Sequence, residues 1–295
     1  MLTAVLALVP AVHGQETKKK DVVSEQSIPS KDGRFSLKAT YYQSSAGQSA
    51  PVVVLLAGRS GNRMIWKPFA EYLQKSGFAV LAVDLRVQGE TAATATQAGG
   101  KVETGELKAT DYTEMVADDM EAVKRFIFDE HQRKNLNMAK MAIVAADQLC
   151  SVAVAYADLD WSKTPYDDAP TFAQRTPRGQ DVKALVLLSP EQTAPGLSVL
   201  QSMAKMKAAK VPVLLGVSKS DPQDKGSSRK IHQVLAPRKE GYEHIYLEQY
   251  QGKGRGTDLL AAPLRTPVHI SNFLDQHLKK LEIDWQDRRS RLERN

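Results

Sequence analysis

The residue best placed to do chemistry is Asp147. It closes the apolar run 141–146 and precedes an alanine- and valine-rich stretch of helical composition, so it falls at a strand-to-helix turn. Such a turn lifts one side chain clear of a sheet, and in the frame Gly-x-Ser-x-Gly it presents a serine nucleophile. Here the frame reads Ala145-Ala146-Asp147-Gln148-Leu149, with aspartate for serine and neither glycine. A carboxylate at this turn could attack a substrate directly, but a base must then activate the water that clears the covalent ester. The simpler expectation is that Asp147 caps the following helix and joins an ion pair, since Asp is a favoured residue at helix starts. Leu149 stands where a glycine would allow close helix–strand approach, so a relaxed or repacked turn is expected. Cys150 and Ser151 lie just past the turn and read as core packing.

The elements needed to position Asp147 alternate along the chain. Residues 51–56, 78–83, 141–144 and 211–217 are continuously apolar, as strands buried on both faces are, and 182–188 is broken only by Lys183. Residues 35–41 alternate apolar and polar, which predicts a half-exposed strand, and 244–247 reads as a short one. Between them, Val116, Met120, Val123 and Ile127 step by four and three, which places an amphipathic helix over 112–130. Further helices are expected over 197–208, 226–235 and 268–281. Strand–helix alternation without internal repeats predicts a single α/β domain with a mostly parallel central sheet and helices on both faces. Residues 88–110 and 161–180 read as irregular insertions. Asp84 and Arg86 read as a structural pair, and Trp66 and Trp161 as core or rim packing.

The ends are read separately. Residues 2–12 are nearly all apolar, too few to span a bilayer as a helix. Val12 and Gly14 are small enough to precede a peptidase cut, so residues 1–14 read as a secretory signal peptide, although no Lys or Arg precedes the apolar run. Residues 15–29 read as a flexible lead-in and 282–295 as a basic, solvated tail. The expected localisation is therefore exported, periplasmic or secreted. The single cysteine excludes an intramolecular disulfide, but 295 residues at 42% apolar composition can build a sizeable core. The net charge of +6 is spread out apart from Lys18-Lys19-Lys20 and the tail. Neither cluster interleaves aromatics, so no nucleic-acid partner is expected. No cofactor or metal is expected, and no transmembrane segment.

Residues 30–281 resemble the α/β-hydrolase superfamily, most closely its dienelactone-hydrolase-like and small esterase branches. The resemblance is carried by segments in family order. Leu55-Leu56-Ala57-Gly58 resembles the oxyanion strand end, and Asp84-Leu85-Arg86-Val87-Gln88-Gly89-Glu90-Thr91 resembles Asp-x-Arg-Gly-His-Gly-x-Ser. Residues 145–149 occupy the nucleophile elbow. Ser218-Lys219-Ser220-Asp221-Pro222 resembles the acid-bearing loop, and Gly254-Arg255-Gly256 falls where the family has His-Gly. The resemblance implies that Asp147, Arg255 and Asp221 stand at the nucleophile, base and acid positions. It also implies that Ala57, Gly58, Arg59 and Gln148 border the ligand pocket.

Only Asp221 keeps the family's residue type. A guanidinium stays protonated at any relevant pH, so Arg255 cannot be the base. The six histidines, His13, His131, His232, His244, His269 and His277, fall outside the expected loop, and His269 opens the last helix. The expected arrangement is an Asp147–Arg255–Asp221 ion-paired cluster filling the catalytic notch. The corresponding function is a pseudoenzyme that binds a small ligand or a protein partner. Two alternatives stand beside it: a hydrolase centred on Asp147, and a cell-envelope protein whose basic tail meets acidic polymer or lipid.

Overall fold

The structure, a computed structural model, describes residues 22–58, 61–95, 107–236, 244–261 and 263–294. Among these residues, eight strands form one sheet in the order β1-β2-β4-β3-β5-β6-β7-β8. β1 (Val22–Pro29) pairs antiparallel with β2 (Ser36–Gln43), and β2 antiparallel with β4 (Ala79–Val83). From β4 onward the sheet is parallel, through β3 (Pro51–Leu56), β5 (Asn137–Ala146), β6 (Val182–Leu188), β7 (Val213–Ser218) and β8 (Ile245–Tyr250).

The continuous apolar runs are explained by cores on both faces. On β3, Val52, Val54 and Leu56 point into one core while Val53 and Leu55 point into the other, the two-residue period of a strand. The first core is closed by α3 (Met120–Gln132), α4 (Leu149–Ser162), α5 (Val199–Ala208) and α6 (Ser227–Leu235). The second is closed by α1 (Lys67–Lys75) and α7 (Thr266–Leu274). The helix expected over 112–130 is α2 (Ala109–Glu114) running through a π-helical turn, Met115–Asp119, into α3. No helix among the described residues is long and apolar enough to cross a membrane.

Three expectations are corrected. The lead-in is ordered from Val22 onward, because β1 satisfies its backbone along the edge of β2 although half of its side chains are polar. The tail is neither a solvated helix nor free. Trp285 stacks on His131 with ring centroids 5.0 Å apart and donates Nε1–H to the His131 carbonyl. Arg288, 5% exposed, donates to the Pro177 carbonyl and lies 2.6 Å from Asp181, a buried carboxylate that also faces Lys124. The tail thus straps the insertion 163–181 to the body. Asp84 and Arg86 take different partners: Asp84 holds the buried Arg63, while Arg86 holds Asp119, Glu114 and Asp32. Trp66 is buried beside Phe69, and Trp161 donates to the Val182 carbonyl at the rim.

The strap makes a testable distinction between neighbouring arginines. Arg288→Ala leaves Asp181 buried with only Lys124 to face, at an expected cost of about 3 kcal/mol. Arg289→Ala, which removes only the exposed pair with Asp287, should leave the melting temperature nearly unchanged. Equal melting temperatures for the two variants would mean the tail contributes no anchoring.

Candidate functional site

The C-terminal ends of the parallel strands deliver one residue each to a common notch, where ligands bind in open α/β sheets. β3 leads to Gly58, β5 to Asp147, β6 to Glu191, β7 to Asp221 and β8 to Arg255. Asp147 has φ 51, the left-handed conformation that an L residue adopts only under constraint. Its N–H donates to the Leu188 carbonyl at 2.9 Å, and its own carbonyl accepts from the Cys150 N–H, which starts α4. Of the two outcomes expected for the turn, relaxed or repacked, the second is the one found. Leu149 is fully buried in the core, so the missing glycine is replaced by packing on the far side of the turn. The capping expectation fails: α4 begins after Gln148, and its start has no side-chain cap.

The Asp147 carboxylate is confined by backbone on two sides. A Cβ at position 58 would stand 2.1 Å from Asp147 Oδ2, and a Cβ at position 256 would stand 2.3 Å from it. Gly256 is also left-handed, with φ 53. These two glycines are therefore fixed by the carboxylate between them. Gly256 N–H donates to Ser189 Oγ at 3.0 Å, which ties the Arg255 loop to the end of β6. On the other side, the buried Gln88 donates to the Ala57 and Gly58 carbonyls. Ala57 is buried beneath this loop, and Gln148 Oε1 is buried without a hydrogen-bond partner. Arg59 lies outside the described residues.

Arg255 brings the notch together. Its Nε is 3.0 Å from Asp147 Oδ1, one terminal nitrogen donates to Asp221 Oδ2 at 2.8 Å, and the other donates to Glu191 Oε1 at 2.8 Å. The Asp147 contact is an ion pair without hydrogen-bond alignment, since Oδ1 accepts no hydrogen bond. The structure thus joins Asp147, Asp221 and Arg255 and adds Glu191, which sequence reasoning missed. Its signal was available: Ser189-Pro190-Glu191 is the first polar segment after β6, at the same strand ends as the other site residues.

Charge sets the notch's behaviour. One guanidinium faces three carboxylates. Burial raises the Asp147 pKa to about 6; Arg255 opposes that rise, and Glu191 and Asp221 add to it. Burial likewise pushes the Cys150 thiol well up; its Sγ donates to the Ala145 and Leu188 carbonyls within the apolar core, so it is core packing. Among the described residues no histidine forms a hydrogen bond or ion pair with Asp147. His269 lies beside Tyr250 and Glu248, and His131 is buried under the tail. Among the described residues no group of three His, Cys, Asp or Glu side chains gathers as metal ligands would.

Comparison with solved structures agrees with this topology. The chain has the α/β-hydrolase fold. It is similar to a carboxyl esterase from Bacillus coagulans (TM-score 0.63, 13% identity, 87% of this chain and 99% of the esterase). It is also similar to a dienelactone hydrolase from Anabaena variabilis (0.54, 15%, 88% and 97%) and a CIB-like hydrolase from Thermoplasma acidophilum (0.54, 14%, 89% and 100%). At such identities the likeness speaks to fold alone. No family model and no curated protein sequence matches the chain.

The raised Asp147 pKa gives a signed pH prediction. The folded state binds the Asp147 proton more tightly than the unfolded chain does. The stabilisation from that proton is present below about pH 3.8 and is lost as pH rises through about 6. The loss is about 3 kcal/mol, for a side chain 22% exposed. Asp147→Asn cannot ionise, so its melting temperature should gain on the native chain between pH 4 and pH 7. Melting curves that stay parallel across that range would show that Asp147 titrates normally.

Proposed function

We propose that this chain is a pseudoenzyme of the α/β-hydrolase fold, its notch used for binding a small ligand or a protein partner rather than for hydrolysis. The observation that carries the reading is the Arg255 guanidinium held by Asp147, Asp221 and Glu191. It occupies the place where a base would have to stand between nucleophile and acid, and it cannot accept a proton. Asp147, whose pKa burial raises to about 6, is mostly ionised at neutral pH, so it is the base and not the carboxylate that the notch lacks. Esterase and dienelactone hydrolase likeness supplies the scaffold of this reading, not its chemistry.

A second reading rests on the elbow itself. Asp147 retains the left-handed turn on which a nucleophile stands, and its Oδ1 accepts no hydrogen bond. In an aspartyl-ester mechanism a carboxylate oxygen of Asp147 would bond to the substrate carbon as that carbon's bond to its leaving group broke, the leaving group departing with the electron pair. The mechanism would then need a water activated by a group other than a histidine of the notch.

We further propose that the protein is exported and that residues 1–14 are removed. The support is the apolar composition of residues 2–12 with small residues before Gln15. A mature chain beginning at Met1, by mass spectrometry of protein from the producing cell, would sink this part.

The main reading is tested by assaying the purified protein and Asp147→Ala with activated short-chain esters and lactones. The expected result is no turnover above the variant. Turnover that disappears in Asp147→Ala, with a covalent adduct on the native chain of the substrate less its leaving group (the whole substrate for a lactone), would establish the second reading instead.

A further inference from the structure

α4 starts beside Asp147 and ends at Ser162, and its 14 residues carry it about 21 Å to the opposite end of the sheet. A cavity of about 440 Å³ opens there between α3, the end of α4 and the segment 164–178. Lys124, Arg125, Lys163, Arg178 and Arg288 supply cations to its wall, Glu121 a carboxylate, and Phe128, Met138 and Tyr166 apolar surface. Arg125 is paired with Asp129 on α3.

The cations are not equally free. Lys124 is buried and hydrogen-bonded to Asp160, with Asp181 2.8 Å away, and Arg288 closes on Asp181 from the other side. Asp160 is occupied in turn, its Oδ2 accepting the Asp181 and Val182 N–H groups. These four charges form a buried network that builds the wall. Lys163 and Arg178 are different. Lys163 shares Glu121, 2.5 Å away, and is the more accessible lysine. Arg178 has no carboxylate partner among the described residues, and its guanidinium lies over the Tyr166 ring at 5.1 Å. The positive excess registers on Lys163: burial holds its ammonium below the ordinary lysine pKa, and Lys124 adds to that. Lys163 and Arg178 also border an adjoining hollow of about 800 Å³ lined by Arg175, Arg291 and Arg294, so the cationic wall continues outward.

We propose that this cavity binds a small organic oxyanion, with Lys163 and Arg178 receiving a phosphate- or sulfonate-type head and Phe128, Met138 and Tyr166 receiving its apolar part. An oxyanion here would gain charge-assisted hydrogen bonds from a guanidinium that has no carboxylate, and it would stabilise the charged form of a lysine that its surroundings disfavour. The cavity is larger than an inorganic phosphate needs, and its lining sets apolar surface from Phe128, Met138 and Tyr166 beside the cations. The site is separate from the Asp147 notch, and the proposal does not depend on the notch being inactive.

The test is calorimetric titration of the full protein with phenyl phosphate at low ionic strength. Saturable one-to-one binding is expected. Lys163→Gln and Arg178→Gln should each weaken it at least tenfold, while Lys67→Gln, which removes an equal charge from exposed α1, should leave it unchanged. Melting curves of the variants exclude loss of fold as the cause. Three results would each overturn the proposal: absence of saturable binding, equal weakening by Lys67→Gln, or inorganic phosphate binding as tightly as phenyl phosphate. The last would remove the apolar part of the site.

Discussion

One guanidinium set against three carboxylates is the constraint around which the top of this molecule is arranged. Arg255 cannot shed its charge, so the carboxylates must adjust to it. Asp221, 1% exposed, takes a hydrogen bond and is spent. Glu191 does the same from a more open position. Asp147 receives the least favourable share: it sits near the guanidinium without a hydrogen bond from it, and its proton is retained to about pH 6. The two glycines that fence Asp147 follow from this, because any side chain at 58 or 256 would press on the carboxylate. So does the Ser189 hydroxyl that pins Gly256. Removing Arg255 would leave three like charges in one partly buried notch, which is the costly way to break such a cluster.

The same device recurs away from the notch. Arg63 joins Asp84 to Glu25 and Glu90, and Arg86 joins the turn after β1 to the π-helical segment before α3. Lys124 and Arg288 join α3, the end of α4 and the tail. Each buried cation bridges chain segments distant in sequence. Buried ion pairs are weak contributors to net stability, because desolvation offsets their attraction. Here they set geometry: they decide where irregular segments lie against a sheet whose stability comes from its two apolar cores. The buried cations are therefore internal structure, and two of the tail's arginines, Arg288 and Arg294, reach partners in the body, Asp181 and Thr176.

Much of the fold was legible because parallel strands buried on both faces leave an unbroken apolar signature, as in residues 51–56 and 79–83. β1 was not legible, since an edge strand needs only backbone pairing and its polar side chains carry no signal. The tail was illegible for a related reason: its order comes from Trp285 on His131 and Arg288 on Asp181, contacts across more than a hundred residues. In the notch, Asp147, Asp221 and Arg255 could be named from their places after strands. Glu191 shares that place after a strand, but nothing in Ser189-Pro190-Glu191 states that its carboxylate turns toward Arg255, so its position alone carried no role. The cap assigned to Asp147 failed because composition favours Asp at helix starts but does not reveal a left-handed backbone.

That backbone is the most informative feature of the site. Val87, Asp147 and Ser189 all hold positive φ at the ends of β4, β5 and β6, at a cost of about 1–3 kcal/mol each. Val87 is the least suited of the three, being β-branched at φ 58. Such conformations persist only where the surroundings over-determine them, and here the surroundings are visible. Asp147 is held by its N–H to the Leu188 carbonyl, by the start of α4 and by the glycines on either side, and Ser189 by its N–H to the Gly216 carbonyl and its hydroxyl to Gly256. The strain belongs to the scaffold and is maintained whatever side chain the turn presents. A strained elbow is therefore evidence of the fold, and the chemistry must be judged from the atoms that meet there: two occupied carboxylates, one reluctant to ionise, and a cation that cannot become a base.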